Sequence, residues 1–525
     1  MRCRWLVITV TMVIVSLSAA QEIKLQPFPL DAYPSRAGSS PERFAAVVTE
    51  VAHSISGNYH FEEIPPVALA GRALLGLYRA GNIEPPEGLA RDADHYLETQ
   101  PGDKLQDKLL RARQAMGDVP LIQGERGIHL SLQALFKTLD TFSNYAEVDT
   151  SVRNQMENGC GIGLHLEDKP LGGSYFVRHV EVDTPAHKQG VRPGDELLEI
   201  DRIPIVPSTP TSRVNMLLTL SARKRNGVAI TLRNLEGTQK KVDISSGRHQ
   251  LEANEILMQG YDFDRDTTLT GYRHLQDDDW NYWIDHSNRI ALVRIGAISQ
   301  SSYRLADIIK RLSDDGMKGL ILDLRDSPIG VPDAAADMAG LFLEKNALIS
   351  TTNYRKPTND ELQSTISKSE IRARDLGKRY QDIPLAVLIG PETSGAAEMI
   401  ASALQDHERA KMVGQRSRGK STIQRVMTPG NAMGTNGINY SYRLTVGVFS
   451  RPSGKSLNRL PGMTANDDWG VRPDVEVVLP AQVRRQVRAW WFEHHLRPDD
   501  SNDPTRIDDI RNDPVLHAAV KLLRK

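Results

Sequence analysis

The chain has 525 residues, room for roughly three to four domains at about 150 residues each. With 40% hydrophobic and 25% charged residues, it is neither a wholly disordered chain nor a fibrous one. Sixty-five Lys and Arg against 66 Asp and Glu leave a net charge of −1, so no global field draws it to nucleic acid, and its two cysteines, Cys3 and Cys160, exclude a cysteine-built zinc site.

Residues 1–20 carry a basic start at Arg2 and Arg4, a short apolar run over 5–15, and the small residues Ser18 and Ala20. That pattern predicts a secretory signal cut before Gln21. The expected location is secreted or periplasmic, with membrane attachment only if the signal stays uncleaved. Cys3 leaves with such a signal, which removes any internal disulfide.

Residues 21–147 are expected to form a mostly helical N-terminal domain. Stretches 45–55 and 69–77 look helical, Pro65-Pro66 and Pro85-Pro86 punctuate them, and Leu132, Leu135, Phe136 and Leu139 form a helical stripe. Over 148–246 short alternating runs between Gly, Pro and Asp turns predict a β-rich domain of about 100 residues, with helices at 185–189 and 213–222. Over 250–480 predicted strands (289–295, 319–324, 385–389, 411–413, 444–449) alternate with predicted helices (302–313, 332–343, 361–376, 396–405), which reads as an α/β core. The tail, 481–525, reads as helical with a polar break at 497–504. The fold class is therefore multidomain α+β.

Two stretches carry chemistry. In the β-rich segment, Thr184-Pro185-Ala186, Gly190 and Arg192-Pro193-Gly194-Asp195 precede an apolar strand, and Gly161-Ile162-Gly163-Leu164 lies upstream. This segment resembles a PDZ domain. The resemblance implies that Gly161, Ile162, Gly163 and Leu164 receive a polypeptide C-terminus, because successive N–H groups of a Gly-rich turn cradle a carboxylate and the extended peptide adds a strand.

In the core, GLILDLRDSPIG (319–330), TSGAAEMIASALQDHERAKMVGQRSRGKSTIQ (393–424) and GVRPDVEV (470–477) stand in order, and ALFKTLDTFSNY (134–145) precedes them. Together they resemble the C-terminal processing peptidases, also called tail-specific proteases. The resemblance implies a ClpP/crotonase-like core and a Ser/Lys mechanism without metal or organic cofactor. In that family a serine at a helix start attacks the peptide carbonyl, a lysine acts as general base and a glutamine orients it. Lys420 and Gln424 match the last two. Backbone N–H groups near Ala396 and Gly330 are implied as the oxyanion hole.

The match departs at two places. Counting from Glu398 and Lys420, the nucleophile position is Gly395, with Ser394 and Thr393 the nearest hydroxyls. Ile329 stands where the family has the first glycine of its PGG loop. Two readings follow: a serine peptidase that uses Ser394 to cut proteins presented by their C-terminal tails, or an inactive relative that binds peptides or acts as an adaptor. The expected partners are protein or peptide C-termini, with an adaptor or a second copy of the chain also in keeping, and neither nucleic acid nor nucleotide.

Competing motifs are weaker. GQRSRGKS (414–421) matches a phosphate-loop pattern, but the β-branched Thr422, Ile423 and Val426 follow it where a helix is required. No metal site is expected from the fourteen histidines, and His407 lies too far along its helix to serve a hydroxyl at the helix start. Trp280, Tyr282 and Trp283 are expected to pack under a domain junction. Val483, Val487, Trp490 and Trp491 are expected to dock on the core.

Overall fold

The computed structural model describes residues 40–145, 148–149, 160–166, 174–180, 184–206, 227–245, 247–248, 282–296, 298, 302–327, 330–357, 364–375, 377, 379–427, 438–439, 441–460, 462–495 and 512–524. The expected signal, the helix at 213–222, Trp280, Ile329 and the polar break at 497–504 lie outside the described residues.

The N-terminal part is helical: α1 (Pro41–Asn58), α2 (Pro66–Ala80), α3 (Leu105–Ala115) and α4 (Gly124–Phe136), with two short helices at Glu87–Arg91 and Ala93–Tyr96. Ser40 caps α1 by accepting the Arg43 amide, and proline opens both α1 and α2, where its missing N–H costs no helical hydrogen bond. The buried stripe of these helices continues into Tyr442, Leu444 and Val446 of a later strand. This region therefore shares its core with the C-terminal half rather than standing apart.

The β-rich domain follows. The short strands β1 (Asn144–Tyr145), β2 (Val148–Asp149) and β3 (Cys160–Gly161) lead into β4 (Leu164–Leu166), β5 (Tyr175–Val180), β6 (Glu196–Ile200), β7 (Ile203–Pro204), β8 (Gly227–Arg233), β9 (Gln239–Ser245) and β10 (Gly247–Arg248). Its sheet runs β4-β5-β6-β8-β9 with β7 on β6. A short helix, α5 (Pro185–Lys188), starts at Thr184. Val228, Ile230 and Leu232 alternate inward along β8 to a separate core with Tyr175, Val177 and Leu197.

The α/β core contains β11 (Trp283–Asp285), β12 (Ile290–Arg294), α6 (Ser302–Asp314), β13 (Gly319–Asp323), α7 (Pro332–Gly340), β14 (Leu348–Pro357), β15 (Ser364–Arg372), β16 (Leu385–Ile389), α8 (Ala396–Asp406), β17 (Lys411–Gly414), β18 (Thr422–Met427), β19 (Ile438–Asn439), β20 (Tyr442–Ser450) and β21 (Val475–Glu476). Its main sheet has the order β11-β12-β13-β16-β17-β21 and is parallel except for β11. Strands β12, β13 and β16 are buried along their whole length, as a parallel sheet covered on both faces requires. Helices α6, α7 and α8 cover one face. The other is covered by α9 (Ala481–His495) and α10 (Pro514–Leu523), through Val487, Trp491, Leu516 and Val520. The tail is thus one layer of the core.

A second sheet joins β15, β14 and β20, with β18 on one edge of β20 and β1 on the same edge as β14. Here the expected helix over 361–376 is corrected: Ser364–Arg372 is strand β15, paired antiparallel with β14 from Ser364↔Pro357 to Arg372↔Leu348. The charged composition of that stretch is compatible with a helix. The β-branched Thr365, Ile366 and Ile371 and the adjacent partner strand decide otherwise, because hairpin pairing outweighs weak local propensity.

Candidate functional site

The candidate site lies where the loops after β13 and β16 meet at the carboxyl edge of the parallel sheet, the usual place for a site in such a fold. The loop after β16 is held by Thr393. Its hydroxyl accepts the Gly390 amide at 2.9 Å and donates to the Leu324 carbonyl at 2.8 Å, while its own amide donates to the Gly390 carbonyl. Thr393 is thereby committed to structure.

Ser394 is fixed next to it. Its amide donates to the Ser327 carbonyl at 3.1 Å and its carbonyl accepts the Ala397 amide. The side chain is fully buried, and its Oγ has no hydrogen-bond partner among the described residues.

Gly395 follows at φ 60°, ψ −117° and forms the N-cap of α8. Only glycine adopts this backbone without strain. A Cβ built there meets nothing within 4 Å. The sharp turn therefore presents position 395 to open space and turns the Ser394 side chain into the protein.

Glu398 ties this turn to the lysine loop. It is fully buried, and its carboxylate accepts the Gly395 amide at 3.1 Å, the Ser417 hydroxyl at 2.5 Å, the Gly419 amide at 2.7 Å and the Lys420 amide at 2.8 Å. Burial pushes its carboxyl up from the ordinary value, and these donors pull against that shift. The sequence supplied Glu398 only as a counting anchor; an acidic residue three positions into a helix start is its one local signal.

Lys420 stands just before β18, with its Nζ 5.3 Å from the centre of the Phe142 ring, a cation–π arrangement. Gln424 Nε2 donates to Thr422 Oγ1 at 2.7 Å and to Thr445 Oγ1 at 3.3 Å, so Thr422 and Gln424 share one face of β18. Its amide nitrogen thus serves two threonine hydroxyls. Behind them stands Asp140, which the sequence did not single out. Its Oδ1 accepts Thr445 Oγ1 at 3.1 Å and the Phe142 amide at 2.8 Å, and its Oδ2 accepts the Ser143 hydroxyl at 2.5 Å. Asp140 lies just after the helical stripe, within the 134–145 motif.

Gly330 and Ala396 are brought together. A Cβ on Gly330 would lie 2.8 Å from the Ala396 Cβ and 2.4 Å from the Ile298 Cβ. The Gly330 backbone forms a parallel bridge with Ile298, and the Val331 amide donates to the Ile298 carbonyl at 2.9 Å.

The Gly161–Leu164 turn belongs to the other domain and to its separate core. The Ile162 carbonyl accepts the Ala186 amide at 2.9 Å, and Gly163 has φ 72° with Thr184 where its Cβ would stand. Strand β4 is the outer strand of its sheet among the described residues. The phosphate-loop match is followed by strand β18, not by the helix that such a motif requires. His407 Nε2 instead contacts the Leu348 carbonyl, and Asp406 pairs with Arg451 at 2.6 Å.

A buried carboxylate thus joins a strand–turn–helix elbow to a lysine loop, with a glycine packed against the first helical residue. Residues 289–477 match the model of peptidase family S41. A carboxy-terminal-processing protease of Bartonella bacilliformis is 27% identical over 368 residues, covering 69% of this chain and 72% of that protein. The carboxy-terminal processing protease CtpA of Bacillus subtilis is 24% identical over 393 residues, covering 72% and 70%. Among solved structures, a photosystem II D1 C-terminal processing protease is 17% identical with a TM-score of 0.45, covering 84% of this chain and 94% of that one. Residues 289–477 thus resemble peptidase family S41, and the chain is similar to carboxy-terminal-processing proteases over about 70% of its length.

Proposed function

We propose that this chain is an extracytoplasmic member of that family which binds polypeptide C-termini through its PDZ-like domain and holds them at the elbow before α8 without cutting them. One observation carries the reading. The position that faces open space at the elbow is Gly395, which has no nucleophile, while the only adjacent serine, Ser394, is fully buried. A nucleophile must reach its carbonyl at close range and in line. Lys420, Gln424 and the amides near Ala396 and Gly330 then form a peptide cradle whose attacking atom is missing.

A second reading is favoured by the Ser394 hydroxyl, which has no partner among the described residues and so is not tied down. On that reading the elbow opens, Ser394 attacks and passes its proton to Lys420, and Gln424 orients the lysine.

Proteolysis of an unstructured protein by the purified chain decides between them, run beside Ser394→Ala, Lys420→Ala and Gly395→Ser. The binding reading expects an inert parent and cutting only by Gly395→Ser, abolished again when Lys420→Ala is added. A parent that cuts, and loses cutting with Ser394→Ala and with Lys420→Ala, overturns it and establishes the peptidase reading.

A further inference from the structure

A cleft separate from the elbow lies on the opposite face of the parallel sheet, between the loops after β13 and β16 and the first turns of α9. It measures ≈ 740 Å³ including its open mouth. Its floor is apolar, built from Ile389, Leu479, Val487, Trp491 and Val515. Its walls carry Arg294, Arg325, Arg484, Arg485 and Arg488.

The acids around it are already engaged. Asp323 pairs with Arg294 at 3.1 Å and Arg325 at 2.7 Å, and Asp513 with Arg325 at 2.7 Å. Asp326 pairs with Arg294 and Arg488, both at 3.2 Å. Glu392, on the rim, faces Arg418 at 3.7 Å.

Two guanidinium donors remain buried without an acceptor among the described residues, Arg294 Nη1 and Arg485 Nε. Arg294 is only 9% exposed and lies over the Trp491 ring, 4.8 Å from its centre. Arg485 is stacked on Phe176 of β5 at 3.8 Å. Stacking occupies the face of a guanidinium and leaves its in-plane N–H groups for an acceptor. Buried donors in a folded protein are otherwise almost always satisfied. The excess of guanidinium groups over carboxylates is small, which suits a single negative charge, and the apolar floor calls for a hydrocarbon body beneath it.

We propose that this cleft binds a small organic monoanion, a carboxylate on an apolar chain. Its head engages the free guanidinium edges of Arg294 and Arg485, and its chain lies over Val487 and Leu479. A free aliphatic acid and the carboxyl end of a peptide with an apolar last residue share this chemistry.

The test is calorimetric titration of the full chain with octanoate, octanol, inorganic phosphate and an acetylated dipeptide ending in leucine, at constant ionic strength. Two variants accompany the parent, each checked for a native circular dichroism spectrum. Arg485→Met removes the cation but keeps an apolar stem, and Ala481→Trp fills the mouth without changing charge. Saturable octanoate binding below about 10 mM, weakened at least ~10-fold in either folded variant and absent with octanol, is the expected result. Competition by the dipeptide identifies a peptide end as the source; no competition identifies a free acid. The proposal is overturned if octanoate does not saturate, if a folded variant binds it as the parent does, or if phosphate binds as tightly as octanoate.

Discussion

Asp140 and Gln424, 284 positions apart in the chain, are joined through one hydroxyl: Thr445 Oγ1 donates to Asp140 Oδ1 at 3.1 Å and accepts from Gln424 Nε2 at 3.3 Å. The same aspartate accepts the amide of Phe142, whose ring lies beneath Lys420. The loop after α4 thus sets the surroundings of both Lys420 and Gln424. Asp140→Ala removes the acceptor for Thr445, Ser143 and the Phe142 amide. It is expected to cost about 2–3 kcal/mol, since buried donors lose their partners. Urea unfolding reads the loss, and hydrogen exchange should show the Phe142 and Ser143 amides opening before those of α4.

Glu398 has a larger burden, with four donors converging on it. Glu398→Ala strands one buried amide, two part-buried amides and a buried hydroxyl and should destabilise the chain by about 3 kcal/mol. Glu398→Gln keeps the shape but turns an NH₂ group toward a donor, with a smaller expected cost of about 1–2 kcal/mol. Equal midpoints for the two variants in chemical denaturation contradict this ordering.

Gly395→Ser tests the elbow by stability as well as by activity. The new side chain has room, but φ 60° is unfavourable for any residue with a Cβ. The expected cost is about 1–3 kcal/mol, visible as a lowered melting temperature even where the variant gains hydrolysis.

Gly330→Ala acts by overlap instead. Its Cβ would stand 2.4 Å from the Ile298 Cβ, so the bridge between these segments must spread. An expected loss of about 1–3 kcal/mol follows from overpacking, and in the Gly395→Ser background the substitution should also reduce hydrolysis. Unchanged stability in Gly330→Ala excludes the close approach of these two segments.

Acid stability depends on the arginine-paired carboxylates beside the cleft. Burial by itself raises the Asp323 and Asp326 carboxyls, and neighbouring charges overcome it: Arg325 and Arg294 for Asp323, Arg488 and Arg294 for Asp326. Both are held below the ordinary carboxylate value, so the folded chain binds fewer protons than the unfolded one. Their contribution is complete above the unfolded value of about 4 and is lost as pH falls toward the folded values. Melting temperatures between about pH 5 and pH 2 should fall less steeply in Asp326→Asn than in the parent.

Much of the core was readable because period and burial agree. The run 385–389 is apolar throughout and 319–324 is apolar but for Asp323, and such runs form strands covered on both faces. The amphipathic stripe of Val487 and Trp491 docks on the core, as its pattern implied. Strand β15 is not legible locally because its charged residues suit a helix as well as a strand, and pairing with β14 decides between them. Asp140 and Glu398 are not legible as site residues for a related reason. A single acid near a helix end signals only a cap, and its real partners, Thr445 and Lys420, are distant in the chain.

The sequence by itself determined the motif order, the glycine at position 395 and the presence of Lys420 and Gln424 downstream of it, because these depend on which residue occupies which position. Only the tertiary structure decided that the Ser394 hydroxyl turns inward while position 395 faces open space. It also decided that Glu398 binds the elbow to the lysine loop, and that α9 closes an arginine-walled cleft. Each of these depends on the direction of a side chain relative to segments far away in the chain, and that direction is set by packing rather than by local spacing.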